Sequence, residues 1–124
     1  PFQPMEQYPQ VLGAGEIMLA MVGAEAALFS VPSKILSYLA AGKPIVAAID
    51  AGNDAARTIE EAGAGSVAAP GDTEAFVSSV LALAADPALR RVMGASGRAF
   101  AEQHFAIDRI ADRFEALIRK VTRR

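Results

Sequence analysis

The chain has 124 residues, 52% of them hydrophobic, enough for one core but short for a complete multi-domain enzyme. A formal charge of −2 gives no general attraction to nucleic acid, and the absence of cysteine excludes disulfides and thiolate metal ligands. No run reaches the about 18 consecutive apolar residues of a membrane span, and no basic region followed by an apolar one opens the chain, so a soluble domain in a reducing, cytoplasmic setting is expected.

Residues 1–8 carry proline punctuation and lead through Met5, Tyr8, Val11 and Leu12 into a short amphipathic helix that closes near Gly13 and Gly15. The opening Pro-Phe-Gln-Pro, without an initiator methionine or a preceding strand, reads as an excised fragment or a processed end. Residues 16–22, EIMLAMV, contain six consecutive apolar residues and predict a buried first strand. Residues 23–29 are the loop that follows, and Glu25 reads there as a solvated carboxylate ahead of a ligand contact.

Residues 30–49, SVPSKILSYLAAGKPIVAAI, are the densest in local chemistry. Ser30, Pro32 and Ser33 suit a helix start, because a serine hydroxyl accepts from unpaired amides and proline fits the first turn. Ile35, Leu36 and Leu39 recur at helical spacing, and Gly42 followed by Pro44 stops the helix. Residues 44–49 are nearly all apolar, as in a parallel strand covered on both faces. A helix start delivered by a loop at the end of a strand points amides and a positive dipole end at whatever binds there, which suits an anion. Lys34 in the first turn opposes that dipole, and a bound anion rationalises it.

Residues 50–54 form a Gly/Asn/Asp loop in which Asn53 is placed to cap a helix reaching about Ala62, ended by Gly63 and Gly65. Residues 66–69 predict a third strand before the turn at Pro70 and Gly71. Strand and helix alternate with short connections, so the fold class is α/β: a Rossmann-like three-layer domain on a parallel sheet of about three strands, with a helical C-terminal third. In that third, Asp72 or Thr73 caps a helix with the stripe Phe76, Val77, Val80, Leu81 and Ala84. Asp86 and Pro87 start the next helix, with Leu89, Val92, Met93 and Phe100 facing inward and with Gly94 and Gly97 marking a close approach or a break. From Ile107 a last stripe, Ile110, Ala111, Phe114, Leu117, Ile118 and Val121, runs to the cluster Arg119, Lys120, Arg123 and Arg124. The stripe is expected to pack on the domain and the cations to complement the helix dipole, with contact to an anionic membrane surface as the competing reading. His104, the single histidine, has no carboxylate or nucleophile placed by sequence to use it and is read as a surface or junction residue.

The run VPSKILSYLAAGKPIVA, residues 31–47, resembles the nucleotide-sugar-binding segment of retaining glycosyltransferases of the two-domain GT-B architecture, family 4, of the bacterial polysaccharide and lipopolysaccharide type. The phrases GDTEAF, DPALRRVMG and GRAFAEQHF resemble the tail of the same family, so the similarity covers most of the chain. The resemblance implies that residues 1–124 are the distal part of the donor-binding domain, with the acceptor-binding domain absent and the final helix crossing back toward it. It implies a nucleoside-diphosphate sugar held by Val31, Pro32, Ser33, Lys34 and Ser37, with Asn53 and Asp54 either contacting the donor or acting only as a helix cap. The reaction implied is transfer of a sugar to a hydroxyl of a glycan or lipid-linked acceptor with retention, with no cofactor, no metal and no catalytic residue on this chain. The parent would sit in the cytoplasm, in peripheral contact with the inner membrane face.

Two departures from the family pattern stand out. Where many relatives carry two glutamates with seven residues between them, this chain has Phe29 and Ser37, and a hydroxyl offers less to a ribose than a carboxylate. The basic pair that clamps the diphosphate lies on an earlier segment of the family domain, so the isolated chain is expected to be inactive. Two other readings stay open: a GT-B sugar epimerase, whose extra acid and base residues are not evident, and a stand-alone α/β binding or signalling module. The first strand is also expected to leave an unpaired edge and promote self-association.

Overall fold

The computed structural model describes residues 2–23, 25–26 and 33–122. A 3-10 turn at Met5–Gln7 runs into helix α1 (Tyr8–Ala14), with Pro9 in its first turn, where a missing amide costs nothing. Strand β1 (Met18–Met21) follows, then helix α2 (Lys34–Ala40), β2 (Ile45–Ala48), α3 (Asp54–Glu61) and β3 (Gly65–Ala68). Three helices complete the chain: α4 (Thr73–Ala85), α5 (Pro87–His104) and α6 (Ile107–Thr122).

The three strands are parallel in the order β1-β2-β3, with Ile45 opposite both Met18 and Gly65. Parallel neighbours need crossover helices, and α2 and α3 supply them. Met18, Ala20, Ile45 and Ala47 share one face of the sheet and form a single core with Ile35 and Leu39 of α2 and Ala55, Ala56 and Ile59 of α3. On the opposite face α4 lies over β2 and β3, burying Val46 and Ala68. The result is the expected three-layer α/β arrangement with a helical C-terminal part.

Helix α5 packs across α2, and glycine makes the approach possible. A Cβ on Gly94 would run into the carbonyl of Gly42, and one on Gly97 would lie 2.9 Å from Ala64 Cβ and 3.0 Å from Leu39 Cδ2. Both glycines are buried inside an unbroken helix, so they mark close contact rather than a break. Gly42 ends α2 at φ +67°, a conformation that glycine enters at little cost. Polar side chains tie the same region: Ser96 Oγ donates to the Ala62 carbonyl at 2.6 Å, and Lys43 Nζ donates to that of Gly13 at 3.0 Å. Arg90 donates to the Leu83 and Ala84 carbonyls at the end of α4, at 2.6 and 2.8 Å, and reaches Glu16 at 3.2 Å.

Three packing expectations change. On α4 the buried side chain is Leu83, with Phe76 and Val80 half-buried, while Val77 and Leu81 of the expected stripe are exposed. On α5, Val92 points outward and Ala101 inward with Gly94 and Gly97, because the α2 contact demands small residues where a larger side chain would hold the helices apart. The α6 stripe does not pack on the domain: no residue of α6 is buried, and Phe114, Leu117, Ile118 and Val121 are exposed. His104 closes α5 with its ring against Phe100, centroids 4.2 Å apart, in keeping with a junction residue.

Candidate functional site

In a parallel sheet all carboxyl ends lie along one edge, and the loops leaving that edge share it. Here that edge carries the end of β1 with Val22 and Gly23, the turn after β2 from Ile49 to Asn53, and the turn after β3 through Pro70 and Gly71. Helices α2, α3 and α4 begin from it, so their unpaired amides face the same side of the molecule.

The first turn of α2 is the residue set on which sequence reasoning converges. Lys34 opens the helix and is exposed, as is Ser33 before it. Ser33 has helical dihedrals, φ −58° and ψ −25°, and its hydroxyl makes no capping bond, which corrects the expectation that it caps α2. Its helical ψ lets the backbone enter the turn one residue early, so the hydroxyl is not turned back on the following amides. Val31 and Pro32, with Ser30, lie outside the described residues.

The second helix start is built differently. Asn53 is extended, φ −75° and ψ 139°, and its side chain accepts from the Ala55 amide at 2.8 Å. The side chain is buried, and the Asn53 amide donates to the Asp50 carbonyl at 2.9 Å while Asp50 Oδ1 accepts from Gly52 at 2.8 Å. These bonds make Asn53 the cap that the sequence predicts. Asp54 is exposed and paired with Arg57 one turn on, and its carbonyl accepts from Thr58 Oγ1 at 2.8 Å. The ion pair leaves Asp54 partly neutralised beside the helix start it would otherwise stabilise.

Ser37 sits elsewhere. It lies one turn into α2, half-buried, and lines two clefts that also contain Ala40 and Arg98, between α2, α1 and α5. Arg98 is already engaged, through Nε with Glu102 at 2.6 Å and through Nη1 with the Ala40 carbonyl. Ser37 is therefore on the flank of α2, whereas Lys34 is at its start.

At the carboxyl edge itself is a cleft of about 430 Å³ lined by Met21, Val22, Gly23, Ala48, Phe76 and the 70–73 turn. None of the sequence-predicted residues among those described lines it. Among the described residues Asp72 is its one charged wall, with Oδ1 accepting from the Ala75 amide at 3.0 Å. The sequence does mark Asp72 as a cap, but its place in a cleft with β1 follows only once the third strand is known to be parallel and α4 to lie on the face opposite α2.

The arrangement offers two helix starts with one exposed lysine, a buried asparagine committed to capping, and an apolar cleft alongside. It can receive an anion near Ser33 and Lys34, and an apolar or flat group in the cleft. Compared with models of known protein families, with curated proteins and with solved structures, the chain finds no match in any of the three.

Proposed function

We propose that this chain carries part of a nucleoside-diphosphate-sugar site of a retaining glycosyltransferase, as the distal half of its donor-binding domain. The observation that carries the reading is the start of α2: residues 31–47 resemble the nucleotide-sugar segment, and Ser33 and Lys34 sit exposed at a helix start on the carboxyl edge of a parallel sheet. In this reading the α2 amides and Lys34 face the diphosphate and stabilise charge on it as it departs. Asn53 shapes the neighbouring loop by accepting from the Ala55 amide through its side-chain oxygen. Ser37 lies one turn further along α2, on the flank that also carries Arg98. The parent enzyme would work in the cytoplasm on a glycan or lipid-linked acceptor bound by a further domain.

Titration with uridine and guanosine diphosphate sugars, followed by amide shifts, tests this. Shifts are expected at residues 33–35, and Lys34→Glu should weaken binding by roughly tenfold, as expected when a favourable charge contact becomes a repulsive one. Absence of any shift with every common nucleotide would overturn the reading. The chain by itself is expected not to transfer sugar.

A further inference from the structure

The amino ends of the strands frame a second cleft, on the edge of the sheet opposite the starts of α2, α3 and α4. Its volume is about 350 Å³. It lies between Glu16 at the foot of β1, Gly42 and Lys43 in the connection from α2 to β2, and Pro87, Arg90 and Arg91 of α5. Three cations from two separate segments thus meet one carboxylate, on a chain whose formal charge is −2. Asp86, next in sequence to Pro87, does not line the cleft, and its Oδ1 accepts from the Leu89 amide at 2.9 Å.

The fold accounts for one of these cations and leaves charge on the other two. Arg90, whose side chain is 15% exposed, commits its guanidinium to the Leu83 and Ala84 carbonyls and to Glu16 at 3.2 Å. Lys43 Nζ donates to the Gly13 carbonyl at 3.0 Å, which takes one of its three protons and none of its charge. Arg91 is exposed and, among the described residues, makes no hydrogen bond or ion pair. Two positive charges therefore line the cleft without a paired carboxylate. The backbone that carries them is held by the close contact of Gly42 with Gly94. A guanidinium fork beside an ammonium suits the tetrahedral oxygens of a phosphate group, and the two charges match a dianion.

We propose that the amino-edge cleft binds a phosphate group, as free phosphate or a small phosphomonoester, between Lys43 and Arg91, with Arg90 as the fixed wall behind it. The cleft is on the edge away from Ser33 and Lys34, so the inference is independent of the sugar-nucleotide reading and stands if no nucleotide binds. Bound there, phosphate links the end of α2 to the start of α5 and stabilises the folded chain by mass action.

Amide-shift titration of the full chain with inorganic phosphate tests this at about pH 7.5, where phosphate is mainly dianionic, against sodium chloride at equal ionic strength. No detergent is used, since no helix among the described residues is long and apolar enough to cross a membrane. Saturable shifts are expected at residues 42–43 and 90–91, with a rise in melting temperature that chloride does not reproduce. Arg91→Gln should weaken binding about tenfold, as expected for the loss of one charge-assisted hydrogen bond, and should melt like the parent when phosphate is absent. Glu16→Gln should tighten binding about threefold, because it removes the one carboxylate that lines the cleft among the described residues. Damage to the fold would not produce such a gain. Glycerol phosphate separates the two sources: tighter binding than inorganic phosphate assigns the site to a phosphomonoester, and equal or weaker binding assigns it to free phosphate. Shifts confined to residues 33–35 would place the anion at the start of α2 and overturn the proposal. So would shifts that chloride reproduces, or an affinity unchanged by Arg91→Gln.

Discussion

Tyr38 shows how one side chain joins two elements. It stands on α2 at the margin of the core, and its hydroxyl donates to the Leu19 carbonyl of β1 at 3.4 Å, a long bond. Burial raises its pKa above the ordinary tyrosine value, and the neighbouring phenol of Tyr8 adds to the rise. The folded state therefore holds the proton more tightly than the unfolded chain. Stability from this group is complete below about pH 10, the unfolded value, and is lost as the pH climbs through the higher folded value. Denaturant midpoints should fall above about pH 10, and part of that fall should vanish in Tyr38→Phe. The same variant should cost no more than about 1 kcal/mol at neutral pH, since a single long hydrogen bond is removed. An alkaline slope identical in both proteins would show that Tyr38 is not its source.

At the scale of elements, helix starts and stops were the most legible part of the chain. Asn53, Asp72 and Asp86 each accept from an amide of the following helix, and Gly42 and Gly63 stop α2 and α3 with positive φ. These features depend on a few consecutive residues, so sequence contains what is needed. The packed face of α4 was not legible, because the helix is apolar nearly all round and its periodicity selects no side. Helix α6 is the converse: its stripe was plain in sequence, but what lies opposite a stripe is decided by the rest of the fold. The site divides along the same line. A helix start at residues 33–34 is local and was anticipated, whereas the flank position of Ser37 and the cleft under Phe76 depend on where α5 and α4 settle. The caps also predict a ranking. Asn53→Ala should cost about 2 kcal/mol, at the upper end for a cap, because its side chain is buried, while the exposed bond of Asp86 should cost about 1 kcal/mol when Asp86 becomes Ala. Thermal melts of the two variants measure the difference, and equal losses would contradict the role given to burial.

For the whole molecule, the open side of the sheet sets behaviour in solution. Met18 and Val22 donate to the Pro44 and Ala48 carbonyls of the β2 segment at 2.9 and 3.0 Å, so the amides of Leu19 and Met21 point away from β2 along the outer edge of β1. Among the described residues no strand pairs with that edge. Helix α4 covers β2 and β3 but leaves Leu19 and Met21 44 and 71% exposed on the same side. Met18–Met21 contains no charge, proline or bulge to discourage pairing, and only the Leu19 carbonyl has a guard, the hydroxyl of Tyr38. An antiparallel pairing of two such edges about Ala20 would set Leu19 of each copy against Met21 of the other, joining their exposed side chains on one face. Contact along four residues buries far less than the about 1,000 Å² expected of a specific interface, so the association should be weak and concentration-dependent. Sedimentation should therefore show self-association that rises with concentration and is suppressed by Met21→Lys, a charge placed on the edge, while Phe114→Asp on α6 leaves it unchanged. A chain that stays monomeric at high concentration would mean that Tyr38 and the neighbouring α2 protect the edge sufficiently by themselves.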